Sequence, residues 1–148
     1  MANLTFVADT GGEVALVTAT AKTVVQITAP ANQRIQIDGW SVSFDGVSGT
    51  AEPVVVELLR QTTAGTMTGT TPVRKGVGSE TIQTTSQKNA TVEPTAGDVL
   101  RRYEVHPQTG AEWKFDPKEI EMAGGTRLGI RCTAPAGVNV VASIDAEE

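Results

Sequence analysis

The chain has 148 residues and a formal net charge of -5, from 12 basic and 17 acidic side chains. Its single Cys excludes an internal disulfide framework and a Cys-rich zinc module. The acidic balance argues against nucleic acid as the partner, because phosphate binding needs a surplus of Lys and Arg. With 21 Thr and 18 Val beside 6 Leu, the composition favours β-strands over helices.

Residues 1–22 predict an extended N-terminal arm, with a possible first strand between Val14 and Thr20. No basic segment precedes the apolar residues near the N-terminus, so we expect no secretory signal and we expect synthesis and folding in a cytoplasm. The most apolar stretch, residues 14–21, is too short to cross a bilayer, so we expect no membrane partner.

Residues 23–148 predict a single β domain that contains a bulged strand at 34–44. The apolar side chains of this strand keep a two-residue period but change phase in the middle: Ile35, Ile37, Trp40, Val42 and Phe44. Such a period cannot change phase without an inserted residue. The sequence therefore predicts a β-bulge at Asp38-Gly39.

The remaining strands are short and separated by turn residues, and no stretch has a convincing helical period. They are predicted at 23–28, 53–60, 80–85, 89–93, 99–105, 113–115, 127–134 and 138–144. The near-continuous apolar run at 53–60 predicts a strand covered on both faces. About eight antiparallel strands of this kind indicate an all-β sandwich, jelly roll or barrel.

The last two strands have the clearest alternation. Their apolar residues are Leu128, Ile130, Cys132 and Ala134, and then Val138, Val140, Ala142 and Ile144. A three-residue turn, Pro135-Ala-Gly137, joins them, so the pattern predicts an antiparallel hairpin with one face buried.

Residues 62–79 predict a long surface loop. The segment is rich in Gly and Thr and offers little to bury. Loops of this length in a compact domain are usually functional or disordered. The segment is therefore a candidate contact region.

The chain is poorly supplied with residues for catalysis. His106 is the only imidazole and precedes Pro107 in a predicted turn, so we expect a solvated loop histidine. Cys132 has inward parity and is expected to be a buried small hydrophobe. The carboxylates are scattered without metal-site spacing. We therefore predict no catalytic, cofactor or metal site and expect that the protein is not an enzyme.

Five stretches of the chain resemble small structural proteins of tailed bacteriophages. They are VVQITAPANQRI at 24–35, GWSVSFDG at 39–46, VVVELLRQTTAGT at 54–66, EPTAGDVLR at 93–101 and GTRLGIRCTAPAGVNVVA at 125–142. In size and fold the capsid decoration, or cement, class is the best match. The resemblance implies a jelly-roll-like β-sandwich that forms a homotrimer and binds the major capsid protein on the outer face of an assembled head. It implies no catalytic residues.

Two segments are the candidate partner contacts. Extended arms and long loops can cross a subunit boundary and order on contact. The candidate residues of the arm are Leu4, Phe6 and Val7, and those of the loop are Met67, Val73, Arg74 and Lys75.

Two alternatives remain open: a carbohydrate-binding β-sandwich module and a tail- or fibre-associated virion protein. A carbohydrate site usually offers exposed aromatic rings, and Trp40 has core parity. Trp113 and Tyr103 are the remaining candidates for such a platform.

Overall fold

The computed structural model describes residues 3–47 and 51–148, which fold into 13 β-strands and no helix. The predicted all-β class is confirmed, and the strands number 13 instead of about eight. One sheet of seven strands contains β1 (Thr5–Asp9), β2 (Val14–Leu16), β4 (Ile35–Phe44), β7 (Val73–Arg74), β10 (Gly110–Lys114), β11 (Ile120–Met122) and β13 (Val138–Glu147). A second sheet of six strands contains β3 (Ala21–Thr28), β5 (Val54–Gln61), β6 (Thr66–Thr70), β8 (Thr85–Val92), β9 (Ala96–Val105) and β12 (Arg127–Thr133).

The two antiparallel sheets enclose one hydrophobic core, as in a β-sandwich. The strand order is β10-β4-β13-β1-β7 in the first sheet, with β11 also paired to β4 and β2 to β13, and β6-β8-β3-β12-β5-β9 in the second. Buried apolar residues of both sheets form a single cluster. The rings of Tyr103 in β9 and Trp113 in β10 stack, so these two edge strands lie on the same side of the sandwich. The edge strands at the other ends of the two sheets, β6 and β7, therefore lie on the opposite side.

The predicted bulge at Asp38-Gly39 is confirmed. Gly39 pairs with Asp145 of β13, and the next pair joins Ile37 to Ala146, so Asp38 is the extra residue. Ile37 and Trp40 are both buried, although their separation is three residues. The insertion keeps both halves of β4 facing the core.

The covered strand at 53–60 is also confirmed. It corresponds to β5, which lies between β12 and β9 in its sheet. Leu58 and Leu59 are consecutive residues on opposite faces, and both are fully buried.

The predicted hairpin at the C-terminus is wrong, although its buried positions are right. Ile130 and Ile144 are fully buried, as their parity predicted. However, β12 pairs with β3 and β5, whereas β13 pairs with β4, β1 and β2 in the other sheet. The turn at 135–137 therefore carries the chain across the sandwich, because each strand finds longer partners elsewhere.

Residues 1–22 are not a free arm where the structure describes them. Strand β1 pairs with β13 along its whole length, and β2 pairs with the start of β13. The backbone N–H of Leu4 donates to the carbonyl of Glu148, and the N–H of Glu148 donates back, each over 3.0 Å. The segment joins the sheet because these hydrogen bonds satisfy its backbone.

The long loop predicted at 62–79 contains two strands, β6 and β7. A single strand, β8, also replaces the two predicted at 80–85 and 89–93. Strand β6 lies at the edge of its sheet and buries little apolar surface, so it can consist of Thr and Gly instead of alternating apolar residues. This explains why the pattern at 66–70 resembled a loop.

A buried polar cluster lies on the outer face of the six-strand sheet. The Nε2 of Gln61 donates to Oγ1 of Thr23 over 2.8 Å, and the Nε2 of Gln26 donates to Oε1 of Gln61 over 2.7 Å. All three side chains are buried. Gly129 lies directly beneath, where a Cβ atom would collide with Oε1 of Gln61. The glycine makes room for the glutamine.

We expect Gly129→Ala to lower the free energy of unfolding by about 1–3 kcal/mol, because the added methyl overpacks this site. Urea unfolding would measure it. The added Cβ of Gly137→Ala meets only Leu16 O at 3.8 Å, so this control should cost little. In a protein that already carries Gln61→Ala, the collision is gone, so Gly129→Ala should cost less than it does in the unchanged protein. An equal cost in both proteins would contradict this account.

Candidate interaction surface

The two predicted contact segments meet at one edge of the seven-strand sheet. Strands β1 and β7 are antiparallel partners, with Phe6 opposite Arg74 and Val7 opposite Val73. The backbone N–H of Lys75 donates to the carbonyl of Thr5 over 2.9 Å. The structure therefore brings together residues that are more than sixty positions apart in sequence.

Apolar side chains are exposed along this side of the molecule. Val73 is 59% exposed and lies beside the half-buried Val7 on the outer face of the sheet. Val77 is fully exposed and lines a small hollow together with the half-buried Leu4. Val92 of β8, the register partner of Thr66, is also 59% exposed.

Strand β6 continues this surface onto the second sheet. Met67 is half-buried in β6, and no charged residue occurs from Gln61 to Val73. We call the whole surface the β6–β7 edge, defined by Leu4, Val7, Met67, Val73, Lys75, Val77 and Val92. Sequence reasoning missed Val77, whose flanking glycines were the available signal, and Val92, whose position depends on strand pairing.

Two of the predicted contact residues have other roles. Phe6 is fully buried in the core of its own chain and so is unavailable to a partner. The side chain of Arg74 is 22% exposed and donates to the carbonyl of Gly78, with Glu80 3.9 Å away. Phe6 therefore anchors β1, and Arg74 holds the segment that follows β7.

Lys75 is the charged residue of the β6–β7 edge, and an acid partly neutralises it. Its Nζ lies 3.1 Å from Oδ1 of Asp145, while Nζ of Lys114 lies 2.8 Å from Oδ2. Burial alone would raise the pKa of Asp145, but the hydrogen bonds and charges of Lys114 and Lys75 outweigh it and hold the pKa below its ordinary value. The carboxylate of Asp145 therefore stays ionised, and its negative charge offsets the positive charge of Lys75.

The opposite side of the sandwich, at β9 and β10, is closed by aromatic and ionic contacts. The rings of Tyr103 and Trp113 stack with centroids 4.4 Å apart, and Trp113 stacks on Trp40 at 4.3 Å. Arg101 pairs with Glu119. Both carbohydrate-platform candidates are therefore half-buried and stacked on other rings, instead of standing fully exposed.

His106 and Cys132, the two residues considered for acid–base or nucleophilic chemistry, lie in a turn and in the core. His106 lies in a turn, where its Nδ1 accepts a hydrogen bond from the backbone N–H of Gln108 over 3.1 Å. Cys132 is fully buried, and this burial raises the pKa of its thiol above the ordinary value. In residues 3–47 and 51–148, no group of three or more His, Cys, Asp or Glu side chains could hold a metal ion.

Comparison with known proteins adds no relative, because no family model, curated protein or solved structure gives a significant match. Across the described parts of the chain, no helix is long and apolar enough to cross a membrane.

Proposed function

We propose that the chain is a structural virion protein that binds the outer surface of an assembled phage capsid as a homotrimer and stabilises it. The observation that carries this proposal is the meeting of both predicted contact segments at the β6–β7 edge. The five phage-like stretches of the sequence support it. The partner is the major capsid protein, and the location is the capsid surface of a virion made in the host cytoplasm.

The composition of the β6–β7 edge suits a contact between proteins. The cores of protein interfaces are depleted of charge and contain apolar side chains. Val7 and Val73 lie side by side here, and Lys75 is paired with Asp145. Covering Val7 and Val73 takes no charge out of water, so the cost of removing charges from water is confined to the Lys75–Asp145 pair.

A decoration role requires binding energy instead of catalysis. A protein that binds the assembled lattice but not its loosened form stabilises the lattice according to its affinity and occupancy. The proposal includes a jelly-roll-like topology, supported by the way most connections cross from one sheet to the other. In this arrangement the edge strands β6 and β7, one from each sheet, lie on the same side of the subunit.

The change Val73→Asp tests this role. We expect it to weaken co-sedimentation with assembled heads of the encoding phage by tenfold or more, because a central interface side chain is replaced by a charge. Stability should be nearly unchanged, since Val73 is 59% exposed.

The matched control is Val99→Asp on β9, at the opposite side of the sandwich, where Val99 is 37% exposed. It should bind heads as the unchanged protein does. Equal binding by both variants would count against the β6–β7 edge as the contact. Binding to tails instead of heads would favour the tail-associated alternative. The mass of the protein in solution, measured by sedimentation equilibrium, would test the trimer.

A further inference from the structure

Strand β6 has a free edge that carries no charged side chain, and the irregularity in its pairing, between Thr66 and Thr68, lies on the side of β8. In the part of the chain that the structure describes, its sheet partner is β8, and the other side has no strand. Natural edge strands usually carry charges that prevent pairing with another chain. The other long edges of this molecule follow that rule: β9 contains Asp98, Arg101, Arg102 and Glu104, and β10 contains Glu112 and Lys114. The five residues of β6 contain none.

The sequence of β6 is complementary to itself in antiparallel register. If two copies pair around Thr68, each Thr68 faces its equivalent, Thr66 faces Thr70, and Met67 faces Gly69. Cross-strand Thr pairs are favourable. Nothing lies within 4 Å of the position where Gly69 would carry a Cβ, so the Met67 side chain of the other copy has open space there.

We infer that β6 pairs antiparallel with β6 of a second copy across a two-fold axis. This contact assigns β6, with Met67, to a second copy and leaves Val7 and Val73 of the β6–β7 edge to the capsid. It goes beyond the proposed trimer, because a cyclic trimer uses two different surface patches, whereas a two-fold contact uses the same patch twice. It would join two trimers, or two single chains where no trimer forms.

The contact is expected to be weak in dilute solution. Two five-residue strands bury less than the roughly 1,600 Å² of a standard interface. Copies held side by side on a lattice have a high effective concentration, which favours such a weak contact.

Disulfide trapping with Thr68→Cys tests the pairing. Directly opposed residues of antiparallel strands have Cα separations within the disulfide range. The native Cys132 is fully buried, so the introduced thiol is the accessible one. We expect mild oxidation to give a covalent dimer on a non-reducing gel, in clear excess over the control Val99→Cys on β9. Equal yields from the two variants would overturn the inference.

A charge at the same position gives an independent measurement. Thr68→Glu places two carboxylates face to face across the axis, and like charges directly opposite each other are destabilising. Within its own chain the new carboxylate lies opposite Lys88, its register partner, which should preserve the fold. At high protein concentration, sedimentation should give the unchanged protein twice the mass of Thr68→Glu, whereas Val99→Glu should keep the larger mass.

The two proposals fail separately. Equal masses for the unchanged protein and for Thr68→Glu would overturn the two-fold contact and leave head binding untouched. A chain that binds no heads but still gives the Thr68→Cys dimer would overturn the proposed function and keep the contact.

Discussion

Glu57→Gln is expected to lower the free energy of unfolding by about 2–3 kcal/mol, the cost of leaving partly buried charged hydrogen-bond donors without their partner. Glu57 lies on the outer face of the six-strand sheet, with its side chain only 8% exposed. Its Oε2 accepts from Nε of Arg131 over 2.7 Å, and its Oε1 accepts from Nε of Arg102 over 2.8 Å. The substitution leaves the guanidinium of Arg131, 23% exposed, without its counter-ion. Urea unfolding at neutral pH measures the loss.

The same group predicts a pH dependence. Burial alone would raise the pKa of Glu57, but the hydrogen bonds and charges of Arg131 and Arg102 outweigh it and hold the pKa below its ordinary value of 4.5. A lowered pKa contributes stability that is fully present above the ordinary value and is lost as the pH falls through the folded-state value. Stability should therefore decline below about pH 4.5, and Glu57→Gln should decline less over that interval.

An exposed ion pair provides the matched control. The side chains of Arg34 and Glu121 lie 3.8 Å apart and are 75% and 41% exposed. Glu121→Gln should cost less than about 1 kcal/mol, because water already solvates both charges. If Glu57→Gln cost no more than Glu121→Gln, or if both variants kept the full pH dependence, the buried pair would not have the role described.

Phe6→Ala is expected to lower the free energy of unfolding by about 3–5 kcal/mol, the range for truncating a buried aromatic side chain. Phe6 is fully buried in the core cluster, although its segment first suggested a free arm. The loss of its ring leaves a cavity between β1 and the opposite sheet. Thermal and urea unfolding would both report it.

Val7→Ala separates the core role of β1 from a contact role. Val7 is the next residue, half-buried on the other face beside Val73. Its truncation should cost less than Phe6→Ala, and it should act mainly on head binding. If Phe6→Ala left unfolding unchanged and abolished head binding, residues 5–9 would be a partner-binding arm and not a strand of this sandwich.

The β6–β7 edge was predictable only in its parts. The sequence marked Val7 and Val73 as candidate contact residues in two separate segments. It could not show that they face each other, because that pairing joins strands far apart along the chain. It also gave no sign that β6 lies at the end of its sheet.

Most of the predicted core-facing positions were determined by the sequence alone, and Phe6 is the exception. Strand alternation reports which side of a strand is buried, and that property is local. It located the bulge at Asp38-Gly39 and the burial of Trp40 and Cys132. It also identified an all-β chain, because the period is two and Thr and Val are abundant.

Only the tertiary structure decided which strands are neighbours. The alternation of β12 and β13 is the same for a hairpin as for two strands in opposite sheets, because in both cases one face of each strand is buried. Their actual partners are β3 and β5 for β12, and β4 and β1 for β13. Pairing depends on hydrogen bonds between segments distant in sequence, which local pattern does not record. For that reason the sequence alone predicted an all-β sandwich, whereas only the fold shows that the two candidate contact segments lie at one edge.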